Sequence, residues 1–141
     1  MGPLDLAGLP LHALLLLDSV PIIYFLEDHP ELGPRFDPLF DMHSRGLVRF
    51  AVTTVTIAEV LTGPIALGEE ALVRRYRGIL ESWQVIALDS SIAESAARLR
   101  GSLRLKLPDA VQVASALAIN ADALVTHDRD FAKVSALRVI S

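Results

Sequence analysis

The chain has 141 residues, a net charge of −4 at neutral pH and no cysteine; that length fits one domain with a single core, and the missing cysteine excludes disulfides and thiolate metal sites. Apolar residues make up 52% of it, a richness that implies a sheet buried on both faces, a surface covered by a partner, or both. The acidic balance excludes a uniformly basic nucleic-acid-binding surface. Two local basic clusters remain, "RRYR" (Arg74, Arg75, Tyr76, Arg77) and "RLRGSLRLK" (Arg98, Arg100, Arg104, Lys106), which read either as solvated helix faces or as a phosphate-steering rim.

The first twelve residues, "MGPLDLAGLPLH", are expected to form a loose arm, with residues 13–141 as one domain. "ALLLLD" (Ala13 to Asp18) is a continuous apolar run, the pattern of a central strand covered on both faces. The run meets Asp18 too early to span a bilayer, and it lacks the basic segment and small-residue cleavage site of a secretory leader. A soluble, cytoplasmic protein is the expectation. Pro21 suits a first helical turn, and "IIYFLED" continues that helix to Pro30. A second helix is predicted over Phe36 to Arg45, stopped by Gly46. "VRFAVTT" is rich in β-branched and aromatic residues and predicts a strand. "TIAEVLTG" starts a helix that should break near Gly63-Pro64. "EEALVRRYRGILESW" has helical spacing, "QVIALD" reads as a strand, and "SSIAESAARLRGSLRL" and "PDAVQVASALAIN" as helices. "DALVTHD" and "LRVI" complete the strands. Alternation of strands and helices along the whole chain predicts an α/β fold with a mostly parallel sheet.

Ligands bind outside the carboxyl ends of the strands in such sheets. Asp18 and Asp128 each follow a predicted strand, Glu59 lies in the first turns of the helix after "AVTT", and Asp109 opens the "PDAVQVASAL" helix. Each has a local role available. Thr56-x-x-Glu59 and Ser91-x-x-Glu94 match the capping box, Asp109 suits a helix dipole, and "HDRD" around Asp128 is ordinary turn composition. Asp18 tilts toward a functional role, because its surroundings are apolar and burial of an unpaired charge is costly. Four carboxylates brought together repel one another unless a cation intervenes, and Mg²⁺ or Mn²⁺ is the hard, oxygen-preferring ion for the task. Ser19, Thr54 and Thr126 stand beside these acids as supporting hydroxyls.

The ordered set "LLLLDSVPIIYFLE", "TTVTIAEVLTG", "LPDAVQVASAL" and "ALVTHDRDF…LRVI" resembles the PIN domain family, and within it the VapC-type toxins of bacterial toxin–antitoxin pairs. The resemblance runs from about Ala13 to Ile140. It implies an α/β/α sandwich with a central, mostly parallel sheet and a Mg²⁺- or Mn²⁺-dependent endoribonuclease. Asp18, Glu59 and Asp109 would be its core acids and Asp128 the fourth, with Asp130 two residues on as the competing choice. It also implies a homodimer, inhibited by an antitoxin whose tail enters the acidic groove. Where the family often has Asn two residues after the first Asp, this chain has Val20. Gln112 stands where a further acid, one turn after Asp109, would have been welcome.

His12, His29, His43 and His127 are scattered without zinc-ligand spacing, although His127 adjoins Asp128 and is within reach of a phosphate there. Trp83 is expected in the core or an interface, and Tyr76 at a partly exposed helix position. No glycine-rich phosphate loop is present, a phosphatase of the haloacid dehalogenase type would need an acid at Val20, and a receiver-like domain would need a strand-end lysine that is not found. The rival reading is a catalytically idle PIN-like module that binds RNA or a protein partner.

Overall fold

The computed structural model describes residues 2–141. Five strands, β1 (Ala13–Leu17), β2 (Val48–Thr53), β3 (Gln84–Ile86), β4 (Ala123–Val125) and β5 (Val139–Ile140), alternate with six helices. These are α1 (Ser19–Leu26), α2 (Gly33–Ser44), α3 (Thr54–Ala66), α4 (Glu70–Glu81), α5 (Ser90–Leu103) and α6 (Leu107–Ala118). The strands pair in the order β3-β2-β1-β4-β5, every neighbour parallel. The sheet is therefore wholly parallel, with β1 at its centre.

Alternation along β1 separates two cores. Ala13, Leu15 and Leu17 face one side, where they meet Ile22 of α1, Phe36 and Leu39 of α2, Val60 of α3 and Leu80 of α4. Leu14 and Leu16 face the other, against Ile92 and Ala96 of α5 and Val111 and Val113 of α6. A strand covered on both faces has to be apolar at every position, which is why the leucine run is unbroken. The order 3-2-1-4-5 puts the topological switch point between β1 and β4, and the crevice at their carboxyl ends is where a parallel sheet takes its ligands.

Local chemistry differs from the expected pattern at several places. Helix α3 passes through Gly63-Pro64 to Ala66, because Pro64 is buried with Val60 and Leu61 and its packing offsets one lost hydrogen bond near the helix end. Helix α2 begins at Gly33 with Pro34 in its first turn. Strand β3 stops at Ile86, and Asp89 caps α5 by accepting from the Ile92 N–H at 2.8 Å. Glu94 is thus no capping residue; it is exposed and pairs with Arg98 at 3.8 Å. A 3₁₀ turn over Arg129–Lys133, unforeseen in the sequence, follows β4.

The expected loose arm lies against the body. Leu4, Leu6 and Leu9 pack on the first core, and Arg138 Nη2 donates to the carbonyls of Asp5 and Ala7 at 3.1 and 2.9 Å. Tyr76 is buried rather than partly exposed, while Arg74, Arg75 and Arg77 beside it face solvent. Trp83 packs edge-on against Phe50, ring centroids 5.2 Å apart. Among the described residues no helix is long and apolar enough to cross a membrane.

Leu16 is fully buried at the sheet centre, whereas Leu117 on α6 is 37% exposed. Leu16→Ala is expected to lower the free energy of unfolding by about 2–5 kcal/mol, and Leu117→Ala by less than about 1 kcal/mol. Urea unfolding of the metal-free protein measures both.

Candidate active site

Asp18 follows β1 directly, and its backbone N–H donates to the Val125 carbonyl at 2.8 Å, carrying the β1–β4 pairing one residue beyond the strand. The chain then turns into α1, which Asp18 caps. Its side chain is 8% exposed, so a charge there needs donors, and the structure supplies them. Oδ1 accepts from the Ser19 N–H at 2.9 Å and from Gln112 Nε2 at 3.0 Å. Oδ2 accepts from the Thr126 hydroxyl at 2.9 Å. Thr126 in turn accepts from the Asp128 N–H at 3.0 Å, which links the carboxyl ends of β1 and β4.

Gln112 is 1% exposed on the face of α6 that meets the sheet. Besides Asp18, its Nε2 reaches the Thr56 hydroxyl at 2.6 Å, and its Oε1 accepts from the Thr53 hydroxyl at 2.8 Å. Thr53, the last residue of β2, also caps α3 by accepting from the Thr56 N–H at 3.1 Å. The capping role expected of Thr56 therefore belongs to Thr53, and Glu59 is not its box partner. Thr54, expected as a supporting hydroxyl, is exposed and accepts from the Leu88 N–H at 3.4 Å. The pleat turns Thr53 inward and leaves Thr54 outside the buried network.

Glu59, in the second turn of α3, lies close enough to Asp18 for their charges to interact. Partial burial raises its pKa first, then the Asp18 charge, while a hydrogen bond from the Ser19 hydroxyl acts in the opposite direction. Asp109, in the first turn of α6, is pushed up from 3.8 to about 6. Burial is the leading cause, followed by Asp128 and Asp18; Lys106 opposes the shift and Asp130 adds to it. Asp128 caps the 3₁₀ turn by accepting from the Asp130 N–H at 2.9 Å.

One carboxylate oxygen from each of Asp109, Asp128 and Asp130 lies within 4.8 Å of the others. The choice between Asp128 and Asp130 thus has no single answer in the geometry, since both acids stand with Asp109. Of the four expected acids, Asp109 and Asp128 stand in this trio, while Asp18 and Glu59 lie outside it, Asp18 near enough to both Glu59 and Asp109 for their charges to interact. Oδ2 of Asp109 is buried and has no hydrogen-bond partner, an orphaned acceptor on a residue of this acid trio. An all-oxygen donor set with an unsatisfied buried carboxylate fits a hard divalent ion.

A cleft beside the trio is lined by Arg35, His127, Asp128, Arg129 and Ser141. His127 is held edge-on by Tyr24 and Phe36, with ring centroids 5.8 and 6.1 Å away. Arg35 is fixed by the Ser141 backbone oxygen at 2.6 Å and by the Gly2 carbonyl. His29 accepts two backbone N–H bonds in its own turn, and His43 stacks on Phe50. No histidine joins the acid trio among the described residues. What the sequence did not disclose was the part of Thr53, Thr56 and Gln112. One signal for Gln112 was available: it lies three residues after Asp109, on the same helix face, within the otherwise apolar stretch "AVQVA".

The PIN domain family model matches residues 15–137. Among solved structures the chain is similar to a toxin–antitoxin complex from Klebsiella pneumoniae, at 25% identity and a TM-score of 0.70, covering 89% of this chain and 95% of that one. It is similar to VapBC-1 from nontypeable Haemophilus influenzae, at 23% identity and a TM-score of 0.69 over 89% and 96% of the two chains. A third likeness is to VapBC-5 of Mycobacterium tuberculosis, a member of the VapBC family of toxin–antitoxin systems, at 25% identity and a TM-score of 0.58 over 90% and 95%. No curated protein matches the sequence.

Because the folded state raises the Asp109 pKa from 3.8 to about 6, it holds that proton more tightly than the unfolded chain does. The stability this contributes is complete below about pH 4 and is lost as pH rises through the folded pKa. Asp109→Asn is therefore expected to raise the metal-free melting temperature by a few degrees at neutral pH, with the two proteins converging at acid pH. Calorimetry across the pH range in EDTA measures the difference.

Proposed function

The chain belongs to the PIN domain family, and from that premise we propose that it is a Mg²⁺- or Mn²⁺-dependent endoribonuclease, the toxin of a toxin–antitoxin pair acting on cytoplasmic RNA. The observation that carries this reading is the gathering of Asp18, Glu59, Asp109, Asp128 and Asp130 at the switch point of the sheet, with the Asp109 Oδ2 left unpartnered. Asp18, Glu59, Asp109 and Asp128 would hold the ion, with Asp130 beside them. Such an ion, when bound, activates water as a nucleophile and neutralises charge on a phosphodiester.

The chain's own residues do the rest. Thr126 and Ser19 donate to Asp18 and hold its side chain in place. Arg35 and Arg129, with His127 between aromatic rings, give the cleft beside Asp128 a cationic wall, suited to an RNA backbone that the acidic centre alone would repel. The solved relatives named as toxin–antitoxin complexes support an antitoxin partner for this chain. Exposed apolar residues close to the acids support it further: Val20 at 37% and Leu107 at 51%, each two residues from a central carboxylate. Other exposed apolar side chains, among them Leu67 and Val85, leave room for a homodimer contact.

Folded, partner-free protein is expected to cut single-stranded RNA with Mn²⁺ or Mg²⁺, to stop in EDTA, and to lose more than about 100-fold in rate as Asp18→Asn or Asp109→Asn. Cutting that survives both substitutions would remove this site assignment. Metal binding without cutting would favour the idle RNA- or protein-binding module. Arg129→Ala is expected to weaken RNA binding for all sequences alike and to reduce the salt slope by about 0.7, read by fluorescence anisotropy at several salt concentrations.

A further inference from the structure

Asp18 has two carboxylate oxygens in unequal states. Oδ1 accepts two hydrogen bonds, from the Ser19 N–H and from Gln112 Nε2, which fills its lone-pair directions. Oδ2 accepts one, from Thr126, and keeps one direction open. The amide that makes this difference is itself held on both ends. Its second N–H reaches Thr56 at 2.6 Å, and its carbonyl takes the Thr53 proton at 2.8 Å. Reversing the amide would set Oε1 3.0 Å from the Asp18 carboxylate, lone pair against lone pair, so the network admits one orientation.

We propose, on the metal-dependent reading above, that Gln112 is the positioning residue of the site: it occupies Oδ1 of Asp18 and so makes Oδ2 the single oxygen that Asp18 offers to a divalent ion. Gln112 and Asp109 stand one turn apart on α6. The same rigid turn therefore carries one metal-facing acid and the clamp on another, and the clamp sets the distance between α6 and the end of β1. A neutral donor meets the requirement where an acid would not. A carboxylate at this place would add another negative charge 3.0 Å from Oδ1, lone pair against lone pair.

A bland alternative exists: Gln112 is a buried polar residue that ties α6 to β2 and α3. The two differ in what they move. Gln112→Met keeps the volume and removes both donors, so Oδ1 of Asp18 keeps only the Ser19 N–H and is no longer filled. It is expected to weaken Mn²⁺ binding 10- to 100-fold or so by titration calorimetry, the usual scale for groups that orient a metal ligand, and to lower kcat while KM for RNA stays near the parent value. Leu80→Ala, in the core under α4 and fully buried, serves as the control that loses stability without touching the site; its Mn²⁺ affinity should match the parent's. In metal-free protein, the Gln112 side-chain N–H₂ resonance should exchange slowly with solvent and shift in Asp18→Asn, a reading that holds even if Gln112→Met does not fold. Parental Mn²⁺ affinity in folded Gln112→Met, or a fast-exchanging amide indifferent to Asp18→Asn, would overturn the proposal. A parent that binds Mn²⁺ and loses that binding in Gln112→Met, yet cuts no RNA, would sustain the positioning role and sink the nuclease reading. A parent that binds no Mn²⁺ would sink both.

Discussion

A carboxylate at the end of a fully apolar central strand is the constraint from which the rest of this site follows. Ionised and unpaired in an apolar medium, such a group would cost tens of kcal/mol, far beyond the stability of any domain this size. Asp18 avoids that cost through the Ser19 N–H, the Gln112 amide and the Thr126 hydroxyl. Each donor comes from a different element, so the requirement of one side chain brings α1, α6 and the end of β4 to the same point. Thr53 and Thr56 enter because Gln112, once buried, has its own polar atoms to satisfy. The polar cluster is how this strand ends in an acid.

The strand order makes the cluster attainable. With β1 central and β2 and β4 on either side, the carboxyl ends of all three strands open into one crevice. Asp18, Thr53 and Thr126 are each the last residue of a strand or its immediate successor. Glu59 in the second turn of α3 and Asp109 in the first turn of α6 come near enough to Asp18 for their charges to interact, and Asp128 and Asp130 arrive on the short turn after β4. The fold thus concentrates negative charge at one edge while the helices' apolar faces stay dry. Concentration has a consequence for the folded state: the carboxyl of Glu59 is pushed up by burial and then by Asp18, and that of Asp109 by burial and then by Asp128 and Asp18, which opposes folding at neutral pH unless a cation is supplied.

Much of this was legible in the sequence because the signals were local. The unbroken leucine run, the β-branched "VRFAVTT" and the regular alternation with helices pointed to an α/β fold with a mostly parallel sheet, which proves wholly parallel, and the acids fell at the ends of elements whose type was clear. Boundaries were harder. Thr53, Thr54 and Thr56 are all competent caps, and only the hydrogen bond that Thr53 accepts from the Thr56 N–H decides among them. Pro64 looked like a stop because a sequence does not show that its ring packs into the core. The arm looked loose because its leucines find their partners only in the folded body. Gln112 was the furthest out of reach. Its contact with Asp18 spans 94 residues, and periodicity along α6 says only that the position faces inward, not what waits there.

Buried glutamine and buried aspartate are two answers to one problem, and they divide the work. An acid can face an ion but repels every other acid; an amide can donate to an acid without adding to the charge. The site uses acids on its open side, where Glu59, Asp109, Asp128 and Asp130 gather, and hydroxyls and an amide on its closed side, where Thr53, Thr56 and Gln112 are each at most 1% exposed. Polarity therefore changes in kind with depth, from fully buried neutral donors, through Asp18, to carboxylates at the crevice. That gradient puts neutral donors behind Asp18 and carboxylates in front of it, and it explains how a chain with so apolar a sheet tolerates its densest charge directly at the sheet's edge.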